Sequence, residues 1–309
     1  MNNVTTFTIK PIAPFRLDMT AWVLKRRPSN DVDRWDGQTY RRTLWLNGEL
    51  VEMAVTQVGS SDTPKLEVTI EGAKATNEMK ASATAALERL LGTQIDLEPF
   101  YQFVANDVRL GPLAERFRGF KPTRFLTPFE SVANAIACQQ LSLSLGIILL
   151  NRVAEHFGAA HEGSTGITYA FPQPKDLVRR QPLTFRKLGF SLQKGRSLIE
   201  LARSCRTGAF EADVLDPLNN DAITERLLAL RGVGRWTAEY VLLRGMARLD
   251  VFPGDDVGAR NNLRRWLNLE TPLDYDGVRR ILAPWEPYTG LIFFHLLLDN
   301  LAMTGKITP

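Results

Sequence analysis

The periodicity of the apolar residues changes once along this chain and does not change back. Up to about residue 75 apolar and polar residues alternate, most clearly in Arg42–Val55 around Asn47-Gly48 and again in Leu66–Ile70. A period of two places successive side chains on opposite faces of a strand, and Asn-Gly supplies the positive φ values of a tight hairpin turn. Phe7–Ile9 reads as a further short strand. Met79–Leu91 is the first helical stretch, stopped by Gly92, and from residue 93 onward the spacing stays helical. This order argues against a doubly wound parallel sheet, which needs strands and helices in alternation. The expected class is α+β: an N-terminal antiparallel β domain with helices over residues 1–99, then two all-α lobes over residues 100–309. A chain of 309 residues is long enough to bury a sizeable core in such parts.

Within the helical part, Thr127-Pro128-Phe129-Glu130 reads as a helix start, with Thr127 as N-cap, Pro128 at the first position and Glu130 completing a capping box. The next helix is expected to run from Ser131 to about His156. Phe171–Pro174 reads as a loop leading to short helices around Lys175–Arg180 and Arg196–Cys205. The longest apolar stretch, Gly290–Leu298, is interrupted by His295 and is far short of the roughly 20 residues of a membrane helix. The start Met-Asn-Asn-Val-Thr-Thr has no basic and apolar leader pattern, and a cytosolic protein with no membrane partner is expected. Two cysteines, Cys138 and Cys205, cannot make a four-thiolate zinc or iron–sulfur site, and no metal-ligand cluster stands out. Positive charge is concentrated in the middle: residues 101–200 hold 13 Lys and Arg against 7 Asp and Glu, with near balance on either side. A polyanionic partner and a merely solvated face are both compatible with that excess.

The segment from 222 to 245 carries more. Asp221 is placed to cap a helix whose apolar positions Ile223, Leu227, Leu228 and Leu230 recur at helical spacing. Arg231-Gly232-Val233-Gly234 breaks it, and a second helix runs from Arg235 to Arg244, ending at Gly245. A tight Gly-x-Gly turn leaves the first N–H groups of the second helix without intrahelical partners, and with the helix dipole they form a phosphate site that needs no side-chain charge. Alone, such a turn is also an ordinary helical corner. The next segment is less ordinary: Val251-Phe-Pro-Gly-Asp-Asp256 is a loop that ends in two adjacent acids before a helix at Val257–Leu267, one acid more than capping requires.

Leu230–Tyr240 (Leu-Arg-Gly-Val-Gly-Arg-Trp-Thr-Ala-Glu-Tyr) with Asp256 twenty residues after Trp236 resembles the helix–hairpin–helix and Gly/Pro…Asp motif of DNA glycosylases. The Gly-Arg-Trp-Thr-Ala segment is most similar to the DNA-3-methyladenine glycosylase II branch. Ile136-Ala-Cys-Gln139, Phe171-Pro-x-Pro174, Leu188-Gly-Phe-x-Leu-x-Lys-Gly-Arg196 and Pro284-Trp285-x-x-Tyr288 agree in order. Over residues 1–99 the resemblance covers only the β-rich layout. It implies double-stranded DNA as partner, a monomer, base flipping into an aromatic pocket, and hydrolysis of the N-glycosidic bond of alkylated purines such as 3-methyladenine and 7-methylguanine. Asp256 is then the carboxylate that stabilises charge on the sugar, leaving Asp255 as the cap. Trp236 and Tyr240 match the family's pocket aromatics, Phe294 stands where the family has a tryptophan, and Trp22 is the aromatic offered by the N-terminal domain. Gly232, Gly234, Arg235, Lys194 and Arg196 fall on DNA-binding positions, as does Gln139-Gln140-Leu141. The wedge that fills the space of the flipped base falls on Gln140, with Leu141 as alternative. The resemblance implies no organic cofactor and allows a monovalent cation at the hairpin carbonyls.

Bifunctional relatives carry a lysine where this chain has Trp236, and no lysine occurs between Lys194 and Lys306, so base removal without strand cleavage is expected. Two other readings stay open: a glycosylase for deaminated or oxidised purines on the same fold, and a non-catalytic helix–hairpin–helix DNA-binding protein. Backbone phosphate binding requires neither Asp256 nor the aromatic pair, which weighs against the last.

Overall fold

The computed structural model describes residues 4–74 and 76–309. A five-stranded antiparallel sheet of order β1-β5-β4-β3-β2 is formed by β1 (Val4–Ile9), β2 (Arg34–Trp35), β3 (Thr39–Leu46), β4 (Glu49–Gln57) and β5 (Leu66–Glu71). Helix α1 (Leu17–Lys25) lies between β1 and β2 in sequence, and α2 (Asn77–Leu91) follows β5. Asn47 (φ 49°) and Gly48 (φ 79°) make the expected turn between β3 and β4. Alternate residues, among them Leu44, Val51, Met53, Val55, Val68 and Ile70, are buried in one core with α1 and α2. Thr76 caps α2 by accepting the Met79 N–H, and Gly92 (φ 61°) ends it.

The rest is helical: α3 (Glu98–Val104), α4 (Leu110–Arg116), α5 (Pro128–Cys138), α6 (Leu143–Phe157), α7 (Pro174–Leu177), α8 (Pro182–Lys187), α9 (Leu192–Cys205), α10 (Ala212–Leu215), α11 (Asn220–Leu228), α12 (Arg235–Met246), α13 (Val257–Trp266), α14 (Tyr275–Leu282) and α15 (Thr289–Met303). Two further cores form. One gathers the apolar faces of α5, α6, α9, α11 and α12. The other joins α3 and α4 to α13, α14 and α15, and takes in Met19 and Val23 of α1. The chain thus builds part of the last core, leaves to complete the middle one, and returns.

Several expectations need correction. The single helix expected from Ser131 to His156 is two, because Gln140 takes φ 54° and Ser142 starts α6 by accepting the Leu145 N–H. The helices turn back so closely that a Cβ on Gly146 would lie 2.6 Å from Cys138 Sγ. Thr127 caps α5 as expected, but Glu130 does not complete a capping box. Its carboxylate accepts from Arg42 Nη2 at 2.6 Å, while Arg42 Nη1 and the Tyr40 hydroxyl both donate to Asp33 Oδ1 at 2.7 Å. This buried cluster fastens the sheet to α5, and removal of one partner from such a group costs about 3–5 kcal/mol. Helix α11 is capped by Asn219, which accepts the Ala222 N–H, and not by Asp221. A hairpin of β6 (Ala160–Gly163) and β7 (Gly166–Tyr169), too short to leave a pattern in the sequence, ties the middle core to the sheet through Thr43–Thr168 and Ser164–Glu71 hydrogen bonds.

Candidate active site

A cleft of about 1260 Å³ opens where α1, the α5–α6 turn, the start of α9, the α11–α12 turn, the start of α13 and α15 converge. The α11–α12 turn needs Gly232 for two reasons. Its φ is +77°, and a Cβ would stand 2.5 Å from Ser197 Oγ. Gly234 is different: a Cβ there would meet nothing within 4 Å, so no contact among the described residues accounts for a glycine. No side chain among the described residues caps α12, and the N–H groups of its first turn have no intrahelical acceptor.

Asp256 sits across the cleft at the start of α13. Oδ1 accepts the Ala259 N–H at 2.8 Å, which makes Asp256 itself the N-cap, while Oδ2 accepts the Trp236 indole N–H at 3.1 Å. Asp255, expected as the cap, instead takes Arg235: Nε and Nη2 reach its Oδ2 at 2.8 and 2.7 Å. The φ/ψ of Asp256 are those of a cap residue, and that decides between two adjacent acids that the sequence presents as equals.

Trp236 and Tyr240, one turn apart on α12, stack on each other with ring centres 5.4 Å apart and 27° between planes. Both line the cleft, and so do Trp22 of α1 and Phe293 of α15. Phe294 does not. It is fully buried in the last core, with Phe120 5.4 Å away, and its neighbour Phe293 holds the cleft position. On one helix successive residues point about 100° apart, so a one-residue offset exchanges core for cleft.

Below Tyr240 lies Phe125, with the guanidinium groups of Arg26 and Arg244 at 5.2 and 5.4 Å from its ring centre. Both arginines are buried cleft residues that the sequence reading missed. Arg26 gives Nη2 to Asn134 Oδ1 at 2.6 Å, but its Nε and Nη1 have no hydrogen-bond partner among the described residues; Arg244 gives Nη2 to Val23 O, and its Nε has none among them either. Burial pulls the Arg244 pKa down to about 10 and raises that of the Cys138 thiol beside Arg26. Helical spacing was the available signal, since Arg26 follows Trp22, and Arg244 follows Tyr240, by four residues.

The turn between α5 and α6 projects into the same cleft. Gln140 and Leu141 stand exposed at its tip, and the left-handed Gln140 is the strained residue there. Gln139 faces inward, and its amide donates to Gly232 O at 2.7 Å and Thr237 Oγ1 at 2.8 Å. A cation held by the hairpin carbonyls would therefore share Gly232 O with a protein donor. Lys194 aims its ammonium at Ala137 O and Gln139 O, at 2.9 and 2.6 Å, and partial burial lowers its pKa. Arg196 is exposed and lies outside the cleft lining. Among the described residues no three His, Cys, Asp or Glu side chains come close enough to hold a metal ion, and no single helix is long and apolar enough to cross a membrane.

The model of the HhH-GPD superfamily of base excision DNA repair proteins matches residues 133–287, which hold the α5–α6 turn, the hairpin and Asp256. The chain belongs to this superfamily. It is 27% identical over 201 residues to a DNA-3-methyladenine glycosylase of Bacillus subtilis, in a match that covers 65% of this chain and 66% of that one. Among solved structures, a 3-methyladenine DNA glycosylase from Archaeoglobus fulgidus superposes with a TM-score of 0.81 at 25% identity, covering 96% of this chain and 98% of that one. The 8-oxoguanine glycosylase/lyase of Clostridium acetobutylicum, in complex with double-stranded DNA, shares the fold with a TM-score of 0.75 at 17% identity, covering 99% of each chain. The superfamily match and the A. fulgidus structure together account for the α+β class and for the resemblance in the motif region.

Proposed function

We propose that the protein is a DNA glycosylase that hydrolyses the N-glycosidic bond of alkylated purines and leaves the strand intact. The observation that carries this reading is the Asp256 carboxylate, held by two N–H donors at the edge of an aromatic cleft and facing the open N-terminus of α12. Phosphates on either side of the lesion would bind at the α12 N-terminus, where Gly234 lets a backbone approach closely. Gln140 and Leu141 at the exposed tip would fill the gap in the duplex, and the flipped base would stack against Trp236, Tyr240, Trp22 or Phe293. As the glycosidic bond breaks, positive charge grows on the sugar. A carboxylate about 4 Å away stabilises it by about 4 kcal/mol at an effective dielectric near 20, about a thousandfold in rate. An alkylated purine is already cationic and leaves without a strong general acid, which suits a site whose lining includes no histidine.

The absence of strand cleavage rests on the amines. By the resemblance, Trp236 stands where bifunctional relatives carry the Schiff-base lysine, and Lys194, the lysine of the cleft lining among the described residues, has its ammonium engaged by two carbonyls. The cleft floor supports a second reading on the same fold. Neither Arg26 nor Arg244 has a carboxylate within ion-pair range among the described residues, so a cationic base meets repulsion there, whereas a neutral purine with an exocyclic carbonyl meets donors. Hypoxanthine is such a base.

Release of free base from methylated duplex DNA tests the proposal, with 3-methyladenine and 7-methylguanine separated, a hypoxanthine duplex run alongside, and strands checked for nicks before and after hot alkali. Free alkylbase with nicks only after alkali is the expected result. Hypoxanthine release alone would favour the second reading. Binding without release from methylated, deaminated or oxidised duplexes would refute catalysis altogether.

A further inference from the structure

Asp256 ends a loop whose middle is fastened by one side chain that neither the motif nor the cleft accounts for. Glu239 lies on α12 between Trp236 and Tyr240 in sequence but turns away from the cleft, toward the loop. Its Oε2 accepts the Gly254 N–H at 3.1 Å and its Oε1 accepts the Tyr275 hydroxyl at 2.6 Å. The loop is anchored at its start by Gly290 N–H to Leu249 O and by Thr289 Oγ1 to Asp250 O, and at its end by the α13 cap. Between those ends, among the described residues, two ties join the loop to α12: the Gly254 N–H to Glu239, and Arg235 to the side chain of Asp255; only the first holds the loop's backbone. The loop also lies flat on the Tyr275 ring, where a Cβ at Gly254 would come within 2.8 Å of ring carbons. The Arg235 guanidinium, which holds Asp255, also stacks on that ring, 3.7 Å from its centre.

Glu239 is half-buried and has no cation within ion-pair distance among the described residues, an arrangement that costs free energy. Burial raises its pKa, and burial together with this carboxylate pushes the Tyr275 hydroxyl up to about 12. A neutral side chain would tie a loop without that cost. A carboxylate makes the shorter and stiffer bonds of an ionised acceptor, and it can accept from two donors at once.

We propose that Glu239, oriented by Tyr275, is a positioning residue for Asp256: it fixes the loop at Gly254, two residues before the carboxylate, so that the carboxylate keeps its distance from the sugar during bond cleavage. The inference rests on the glycosylase reading of Asp256. It predicts an effect on the chemical step and not on DNA binding, because Glu239 lies outside the cleft lining.

The test uses the full chain with Glu239→Gln and Tyr275→Phe. Each is compared with the unsubstituted protein for single-turnover base release from a 7-methylguanine duplex and for Kd on a duplex with a tetrahydrofuran abasic analogue. An amide replaces one of the two acceptors by a donor, and Phe keeps the ring under Arg235 while losing the hydroxyl. Release should slow about tenfold to a hundredfold in both, the effect of a sub-ångström to 1 Å displacement of a reacting group, with Kd unchanged to within about threefold. In an Asp256→Asn background the same substitutions should alter the residual rate by less than about threefold, since the position of a missing charge has no effect. Unaltered release in both single variants would overturn the proposal, and so would an equal loss with and without Asp256, which marks a merely structural role. If Glu239→Gln fails to fold, Tyr275→Phe, which deletes one oxygen, carries the same three outcomes. Absence of release by the unsubstituted protein from methylated, deaminated and oxidised duplexes alike overturns the glycosylase reading and this inference with it, whereas normal release insensitive to both variants overturns this inference alone.

Discussion

Replacing Asp256 by asparagine separates the two tasks of its carboxylate. As N-cap, Oδ1 accepts the Ala259 N–H at 2.8 Å, and an asparagine oxygen caps a helix as well as an aspartate oxygen does. At the cap the stability cost is then no more than the interaction of the charge with the helix dipole, about 0.3–1 kcal/mol. The effect on chemistry is of another size. The charge lost from a site about 4 Å from the developing oxocarbenium is worth about 4 kcal/mol at an effective dielectric near 20, so single-turnover release should fall about a thousandfold. Asp256→Ala should lose the same rate and about 1 kcal/mol of further stability, because the cap goes as well. The assay is base release with enzyme in excess, run beside thermal melting and beside Kd for an abasic-analogue duplex, which should stay near that of the unsubstituted protein. One complication is visible: with its oxygen on Ala259, the asparagine turns an NH2 toward the Trp236 indole N–H, which then lacks its acceptor at 3.1 Å. Trp236→Phe with Asp256 intact measures that part separately and should cost far less rate than the loss of charge. Release by Asp256→Asn within about tenfold of the unsubstituted protein would refute the electrostatic role, and so would a rate loss matched by an equal loss of binding.

Three other expectations come from the same neighbourhood and from the core. Asp255→Asn removes a negative charge from the cleft and frees Arg235, so DNA affinity should rise and the salt dependence of log Kd should steepen by about one phosphate contact; an unchanged slope would mean that Arg235 does not reach the backbone. Lys194→Met leaves Ala137 O and Gln139 O without their donor and should cost about 1–3 kcal/mol of stability, with slower base release but the same salt slope, as an ammonium spent on carbonyls holds no phosphate. His295 is fully buried, and burial pushes its pKa to about 4, below the roughly 6.5 of an unfolded chain. A depressed value in the folded state means full stability above pH 6.5 and a loss as pH falls toward 4, about 3 kcal/mol in all. Urea midpoints between pH 7 and 4 should show that slope, and His295→Phe, set among the Phe100 and Phe120 rings, should flatten it.

Features that depend on a few neighbouring residues were legible in the sequence. Asn47-Gly48 must turn, Thr127 is a cap wherever a helix starts at Pro128, and Gly232 has a φ that few other residues adopt. Their structure is decided within one turn of backbone, so no distant information is needed. The long helix expected after Ser131 failed for a related reason. Its apolar spacing continues across Gln139–Ser142, but Ser142 is also an N-cap, and the cap won because Gly146 allows α6 to fold back onto Cys138.

The site divides along the same line. Backbone and spacing bring Gly232, Gly234, Trp236, Tyr240 and Asp256 together as anticipated, since all belong to one hairpin and the loop after it. The errors are choices between adjacent residues: Asp255 or Asp256 as cap, Phe293 or Phe294 at the cleft. A motif match fixes position to about one residue, whereas a helix turns about 100° in that interval, so the match leaves the inward and outward side chains unassigned. What the sequence hides altogether is partnership across separate segments. Gln139 bonds the hairpin 93 positions away, Arg42 reaches Glu130 across 88, and the Tyr275–Glu239 bond spans 36. Each of these side chains, met alone, has a surface role as its ordinary reading. The fold turns them inward, where they tie separate segments to one another. The Glu239 and Lys194 variants test what such ties contribute: both leave Gly232, Gly234, Trp236, Tyr240 and Asp256 in place, and both should nevertheless slow release of the base.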